Sequence, residues 1–377
     1  MKTQAVEAGR TTRVHQPKKK TAPKAEAASS EPTERFEQSA GGDSVVDKVK
    51  GFAGRVLKGF SRPKEPAYKA DDGPYKVSAR YTSFVDESRQ RKIPMAVYYP
   101  KGMTKAKSSP VVVMSHGLAG NVATYQYFGR HLASHGYTVL QPTHVGSDTT
   151  AVLTKSPIFT FTQGELKDRA ADIDYTLDLV ESKDKRLPKE LTDSADMSRV
   201  ALAGHSFGGI TATAMAGAEV KDDKGKKVPI EDTRIDAFIS MSPYGDSLPS
   251  HILGVDVNSY DKIDKPILYL SGDKDGLFTL GKGPKVHSGP FQGTGTDEKY
   301  HVVIGGTRHA EFAQVIGLID GKTVEMTNST STAFLDAYLK KDKAAKEYLT
   351  EELPAVARTR ESWAFIGPQG AEEISEF

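Results

Sequence analysis

The stretch Val200-Ala-Leu-Ala-Gly-His-Ser-Phe-Gly-Gly-Ile210 decides the fold of this 377-residue chain. Its first four residues are apolar and typical of a buried strand, and a helical pattern follows over 207–217. A serine flanked by glycines at such a strand-to-helix turn has its hydroxyl held above the end of the strand. Ser206 is therefore the candidate nucleophile. The backbone N–H of Phe207, at the start of the helix, is a candidate donor to a developing oxyanion.

Strands and helices alternate on both sides of this turn. The patterns predict strands over 76–84, 93–99, 110–114, 137–140, 200–203, 237–241, 267–271 and 300–304, and helices near 123–135, 164–181, 207–217 and 325–340. This alternation predicts an α/β fold with a mostly parallel, doubly wound sheet covered by helices on both faces. The first two strands are expected to form an antiparallel hairpin. We place this domain at 73–345 and a C-terminal tail at 346–377.

A serine hydroxyl needs a general base to become a good nucleophile, and a histidine most often supplies it. His309 lies just beyond the strand over 300–304, so it should reach the same carboxyl edge of the sheet as Ser206. The other histidines that follow Ser206 lie in loops or at the start of a strand: His251, His287 and His301. His309 is the candidate base.

The base in turn needs a carboxylate that fixes its tautomer. Asp273 and Asp275 both follow the strand over 267–271, and Asp246 follows the strand over 237–241. All three are expected at the correct edge of the sheet. The residues alone leave the choice among them open.

A second oxyanion donor should come from the loop after an earlier central strand. The sequence Ser115-His-Gly-Leu-Ala-Gly120 follows the strand over 110–114, and its turn can direct the N–H of Leu118 toward a substrate carbonyl. His116 is expected to stabilise this turn by a hydrogen bond rather than to take part in catalysis. The apolar residues within 146–163 are expected to form a lid or an acyl pocket, or to serve only loop packing.

With these motifs, the region from about 111 to 339 resembles the serine α/β-hydrolases. The similar branch contains dienelactone-hydrolase-like esterases, plant chlorophyllases, cutinase-type polyester hydrolases and platelet-activating-factor acetylhydrolases. The resemblance implies an α/β-hydrolase fold and places the catalytic acid three residues after the glycine of Ser271-Gly-Asp-Lys-Asp275, which favours Asp275. The acetylhydrolases can use an earlier strand end, which retains Asp246 as an alternative. Dienelactone hydrolases proper use a cysteine, and this chain has none.

These residues together predict a cofactor-free and metal-free carboxylic-ester hydrolase that acts on small or lipid-like esters through an acyl-enzyme. The alternatives are a phospholipid acetylhydrolase or lipase-type activity, and a non-catalytic binding module on the same fold. The absence of cysteine excludes disulfides, thiolate metal sites and a cysteine nucleophile.

Residues 1–72 differ from the rest in composition. Residues 1–70 hold 15 Lys and Arg against 8 Asp and Glu, whereas the whole chain has a net charge of only +2. This basic extension is expected to be disordered, and the larger body has no basic excess that would indicate nucleic acid as a partner. Apolar residues recur at helical spacing over 44–60 among basic ones, a pattern typical of a short amphipathic helix that contacts anionic membranes. No secretory signal is apparent, so we expect a cytoplasmic protein with peripheral membrane contact through this segment.

Overall fold

The sheet is built from the apolar runs that the sequence analysis singled out. The computed structural model describes residues 68–155, 157–277, 283–313, 321–354, 363–367 and 369–370. The expected disorder of the N-terminal extension up to residue 67, and the expected helix over 44–60, lie outside these described residues. The larger of two compact units, Arg62–Phe377, contains everything described below.

Nine strands form one mixed sheet, and two short strands form a separate hairpin. In chain order the strands are β1 (Val77–Asp86), β2 (Arg91–Pro100), β3 (Ser109–Ser115), β4 (Thr138–Pro142), β5 (Ala195–His205), β6 (Val220–Lys221), β7 (Lys227–Val228), β8 (Ala237–Met241), β9 (Ile267–Gly272), β10 (Lys299–Ile304) and β11 (Trp363–Ile366). The order across the large sheet is β1-β2-β4-β3-β5-β8-β9-β10-β11, and β6 pairs with β7. Six neighbouring strands run parallel to one another: β4, β3, β5, β8, β9 and β10. Strands β1, β2 and β11 pair antiparallel with their neighbours.

Helices cover both faces of this sheet. The α-helices are α1 (Gln126–Ser134), α2 (Thr149–Thr154), α3 (Pro157–Thr160), α4 (Gln163–Glu181), α5 (Lys189–Ser194), α6 (Phe207–Met215), α7 (Leu248–Ile252), α8 (Gly289–Gly293), α9 (Gly321–Leu339) and α10 (Lys343–Glu347). Short 3-10 segments occur at Val257–Lys262, Gly283–Ser288 and His309–Ala313, and a π-helical turn at Tyr348–Glu352. Helices α4 and α6 contribute to the apolar core on one face, and α1 and α9 to the core on the other. The α/β-hydrolase fold that the resemblance implied is confirmed.

The first two strands form the expected antiparallel hairpin. Asp86 pairs with Arg91 across the turn, and the pairing continues to Val77 opposite Pro100. Ile93 is completely buried, and the outer strand β1 carries the more exposed residues. β2 is therefore the buried strand of the hairpin, and it lies between β1 and β4 in the sheet.

The structure extends the domain beyond the expected limits of 73 and 345. Tyr68 Oη donates a hydrogen bond of 2.9 Å to the buried carboxylate of Asp336, and Lys69 forms an ion pair with the same group. At the other end, β11 pairs antiparallel with β10, so a strand assigned to the C-terminal tail is part of the sheet. The physical reason is that a four-residue edge strand has too short an apolar pattern to be recognised without its partner.

Candidate active site

Ser206 lies in a strained turn between β5 and α6. Its backbone angles are φ 55° and ψ −115°, a conformation that residues other than glycine adopt only at an energetic cost. The Ser206 N–H donates a 2.9 Å hydrogen bond to the carbonyl of Met241 at the end of β8, which holds the turn against the neighbouring strand. The side chain is mostly buried but opens onto a cavity.

The glycines around Ser206 allow this turn to pack closely. A Cβ on Gly204 would lie 2.1 Å from the carbonyl oxygen of Gly208, and a Cβ on Gly208 would lie 2.0 Å from the carbonyl oxygen of Ser115. Both distances are far shorter than a van der Waals contact. The Gly-x-Ser-x-Gly spacing is therefore required because β3, β5 and α6 meet with no room for side chains.

His309 contacts Ser206 although the two residues follow different strands of the sheet. It starts the 3-10 turn that follows β10, and its Nε2 lies 2.8 Å from Ser206 Oγ. Its other ring nitrogen, Nδ1, lies 2.9 Å and 3.1 Å from the two carboxylate oxygens of Asp275. A carboxylate can only accept, so Nδ1 carries the proton and Nε2 is free to accept the proton of the serine hydroxyl.

Asp275 follows β9 and is completely buried. Burial alone would raise the pKa of its carboxyl group, but interactions with the adjacent rings of His287 and His309 outweigh that effect and hold the pKa well below its usual value. The carboxylate is thus ionised at neutral pH and oriented toward His309.

The two alternative acids lie elsewhere. Asp273 accepts a 2.6 Å hydrogen bond from the Gly306 N–H, so it holds the loop that carries His309 rather than the imidazole itself. Asp246 lies 2.8 Å from His251 Nε2, and both of these side chains are exposed to solvent. Of the three candidates, only Asp275 contacts His309 in the described part of the chain.

His287, which the sequence placed only in a loop, also contacts the site. The ring is completely buried, its Nδ1 donates a 2.5 Å hydrogen bond to the Pro243 carbonyl, and its Nε2 lies 3.2 Å from Asp275 Oδ1. His287 thereby links the loop after β8 to the carboxylate at the end of β9. A lone histidine in a glycine-rich stretch gives no periodic or motif signal, so only the fold could reveal this contact. His301, by contrast, hydrogen bonds to Ser271 Oγ within the sheet, at 2.8 Å.

The two expected oxyanion donors flank the serine. Phe207 begins α6, and Leu118 lies in the loop after β3. Within the described residues, neither backbone N–H donates a hydrogen bond to a protein acceptor. Both are thus available to a bound ligand, and their catalytic role stays a prediction.

The loop that carries Leu118 is fixed by buried side chains. His116 Nδ1 donates to the Gly117 carbonyl at 2.6 Å, and its Nε2 accepts from the His144 N–H at 2.9 Å. Burial, together with the nearby Arg169 and His144, lowers the pKa of His116 well below its usual value, so the ring is neutral. The position of His116 fits the structural role expected from the sequence.

A cavity of about 640 Å³ opens beside Ser206. Most of its walls are apolar, and its lining residues besides Ser206 are Leu118, Phe161, Thr162, Gln163, Gly164, Asp223, Tyr244, Leu248, Pro249 and Ile252. Phe161 belongs to the apolar insertion 146–163, and its ring lies 4.5 Å from that of Phe207. Part of the insertion therefore lines the cavity, as expected for a lid or an acyl pocket.

Neither a cluster of metal-binding side chains nor a membrane-spanning helix occurs in the described residues. No group of three or more His, Asp or Glu side chains in them is arranged to hold a metal ion. None of their helices has the length and hydrophobicity needed to cross a membrane.

Parts of this chain are similar in sequence to known proteins. A sequence model of the chlorophyllase family matches residues 69–246. Among curated proteins, the chain is similar to three platelet-activating factor acetylhydrolases. That of Bos taurus is 26% identical over 198 residues, which cover 44% of this chain and 40% of the relative. The enzyme of Canis lupus familiaris is 23% identical, and the match covers 61% of this chain and 57% of the relative. The enzyme of Cavia porcellus is 25% identical, and the match covers 62% of this chain and 58% of the relative.

The chain spans about half the length of the curated relatives it matches. The matches and the sheet topology agree with the resemblance to the serine α/β-hydrolase branch, and they point to a hydrolase.

Proposed function

We propose that this protein is a serine hydrolase that cleaves carboxylic esters of lipid-like substrates through an acyl-enzyme. The observation that carries the proposal is the continuous hydrogen-bonded chain from Ser206 Oγ through His309 to Asp275, which opens onto an apolar cavity. The names of the similar proteins support the same chemistry, because chlorophyllases and platelet-activating factor acetylhydrolases are named for lipid-like substrates.

The first half of the reaction forms the acyl-enzyme. Ser206 Oγ attacks the ester carbonyl carbon while its proton passes to His309 Nε2, and the N–H groups of Phe207 and Leu118 bind the resulting oxyanion. Asp275 stays ionised and stabilises the imidazolium. His309 then gives its proton to the alcohol oxygen as the carbon–oxygen bond breaks, and the acyl group remains on Ser206.

The second half returns the enzyme to its starting state. A water molecule attacks the acyl carbon and gives a proton to His309, so that a second tetrahedral oxyanion forms. As the bond to Ser206 Oγ breaks, His309 returns the proton to that oxygen and the carboxylic acid leaves. The cycle balances with one water consumed, and no cofactor takes part.

A substrate series tests this proposal. We expect the purified protein to hydrolyse p-nitrophenyl esters, and Ser206→Ala to lower kcat at least about 10³-fold, since the nucleophile is lost. The matched control is Ser247→Ala, which alters a buried serine outside this hydrogen-bonded chain. Equal turnover by the wild type and Ser206→Ala would overturn the proposal.

A phospholipid acetylhydrolase is the second candidate, favoured by the printed names of the three curated relatives. The test compares p-nitrophenyl acetate with longer acyl esters, and liposomes of a 2-acetyl phospholipid with liposomes of a long-chain one. A preference for acetyl in both pairs supports this candidate. A preference for long acyl chains favours a general lipid esterase instead.

We also propose peripheral membrane contact by the basic amphipathic segment 44–60, on its sequence pattern. In the other compact unit, Leu248 and Ile252 line the cavity and are each about half exposed, so they offer a separate apolar surface that a membrane could contact. Co-sedimentation with anionic liposomes tests the idea on the full chain and on a variant that lacks residues 1–62. Equal binding of the two proteins would refute a role for the segment.

A further inference from the structure

Arg169 is a buried cation that contacts both chain segments that carry the expected oxyanion donors. It projects from α4, and its side chain is completely shielded from solvent. Its Nη1 donates a 2.5 Å hydrogen bond to the carbonyl of His116, two residues before Leu118. Its guanidinium carbon lies 3.9 Å from the centre of the Phe207 ring. One side chain therefore contacts both segments that carry the donors.

A third contact fixes the guanidinium in this position. Arg169 Nε donates a 3.0 Å hydrogen bond to Ser147 Oγ, in the loop after β4. The backbone of that loop is bound to the oxyanion loop, since the Ala119 N–H donates to the Ser147 carbonyl at 2.9 Å. The oxyanion loop, the loop after β4 and the start of α6 are thus joined through one arginine.

The charge of Arg169 has no direct counter-ion in the described part of the chain. Its polar contacts are all with neutral oxygens, and one guanidinium nitrogen, Nη2, has no hydrogen-bond partner there. Glu165, one turn earlier on α4, and Asp172 attract the cation without forming an ion pair with it in these residues, and the Asp172 carboxylate contacts Arg89, Arg91 and His144. Burial lowers the pKa of Arg169 to about 9, which leaves the group protonated at neutral pH. A buried charge without a partner is costly.

We propose that Arg169 positions the two oxyanion donors and that its charge stabilises the oxyanion of the tetrahedral intermediate. This inference rests on the proposed esterase function. The cost of burying the cation is present in the resting protein and is offset when negative charge develops at the carbonyl oxygen. Such a group acts mainly in the transition state, because the substrate carbonyl carries little charge before attack.

Three variants separate this role from a purely structural one. Arg169→Gln removes the charge, Arg169→Lys keeps it but cannot reach both His116 and Ser147, and Arg186→Gln removes an exposed arginine as a matched control. We expect kcat on p-nitrophenyl acetate to fall about 10²-fold in Arg169→Gln and about 10-fold in Arg169→Lys, with little change in KM. The control variant should match the wild type.

A second measurement tests the charge directly. Phenylboronic acid forms a tetrahedral anion on a reactive serine, so its affinity should fall in Arg169→Gln by about the same factor as kcat. An uncharged ether isostere of the ester, which has no carbonyl for the serine to attack, should bind all variants equally. Unchanged boronate affinity in a folded Arg169→Gln variant would overturn the inference, as would an equal loss for the isostere.

A misfolded Arg169→Gln variant and an inactive wild type have separate consequences. If Arg169→Gln does not fold, Arg169→Lys serves for both measurements, and wild-type kcat and boronate affinity in that variant overturn the inference. If the wild type itself neither hydrolyses the ester nor binds the boronate, the proposed function has failed rather than the role of Arg169.

Discussion

At the scale of single residues, Asp275 differs from the other two candidate acids in what it touches. The Asp275 carboxylate contacts the imidazole of His309. Asp273 accepts a hydrogen bond from the Gly306 N–H, and Asp246 contacts the exposed His251. We expect Asp275→Asn to lower kcat by about three to four orders of magnitude, because an amide in place of the carboxylate favours the wrong tautomer of His309. Steady-state kinetics on p-nitrophenyl acetate measures this effect.

The two neighbouring acids are the controls for that prediction. Asp246→Asn should retain wild-type kcat, and Asp273→Asn should lose less than Asp275→Asn because it loosens only the loop. If Asp246→Asn were the one variant to lose activity, the assignment of Asp275 would be wrong.

Leu118 is expected to act through its backbone, and its side chain lines the cavity. Leu118→Ala keeps the N–H and removes apolar surface, so KM for a long-chain ester should rise several-fold while kcat stays within about threefold of wild type. Steady-state kinetics with p-nitrophenyl octanoate measures KM and kcat separately. A loss of kcat near 10²-fold would show that the side chain itself is needed for the chemical step.

At the scale of elements, the turn at Ser206 is packed so closely that its glycines leave no room for a Cβ atom. Gly208→Ala would place a Cβ 2.0 Å from the Ser115 carbonyl oxygen, so β3 and α6 would have to separate. We expect this variant to lose about 3 kcal/mol or more of unfolding free energy, measured by urea titration. The control is Gly321→Ala, where an added Cβ meets no atom within 4 Å, and its stability should not fall. Similar stabilities of the two variants would contradict this account of the turn.

The sequence predicted the long helices and the apolar central strands, although β5 begins at Ala195 rather than at residue 200, and it missed several short elements. The central strands are continuous apolar runs, and α4 has apolar residues at helical spacing, so local pattern is enough to find them. Helices α2 and α3 and strand β11 are only four to six residues long. Too few turns or alternations are present in them to form a periodic signal, and their conformation depends on the surfaces that they contact.

At the scale of the whole molecule, the parallel topology brings distant residues to one edge. Ser206, Asp275 and His309 follow β5, β9 and β10, whose carboxyl ends lie on the same side of the sheet. This convergence could be predicted because the chain order of strands and loops fixes it. The contact of His287 with Asp275 could not, since it depends on how an irregular segment folds back between two strand ends.

The interior also holds an unusual number of neutral histidines. Burial lowers the pKa of His131 and His301 to about 3 and that of His144 to about 4, and it holds the pKa values of His116 and His205 well below 6.5. In the unfolded chain these rings titrate near pH 6.5. Between about pH 6.5 and pH 4 the unfolded state therefore binds more protons than the folded state, and stability is lost as the pH falls.

We accordingly predict a steep acid transition. Each additional proton bound on unfolding lowers the unfolding free energy by about 1.4 kcal/mol per pH unit, and up to five rings contribute. Urea unfolding at intervals from pH 8 to pH 4.5 should show a plateau above about pH 7 and a sharp decline below pH 6. The slope should be smaller in His131→Gln than in His251→Gln, which alters an exposed ring. A flat profile down to pH 4.5 would refute this picture of the core.

In the proposed mechanism, Ser206 is the nucleophile and His309 activates it. The most direct measurement is labelling of the folded protein with a fluorophosphonate, followed by mass spectrometry of the peptide that carries the adduct. We predict one adduct per chain on Ser206, greatly slowed in His309→Gln and absent in Ser206→Ala. An adduct on another residue, or equal labelling of Ser206→Ala, would contradict the account.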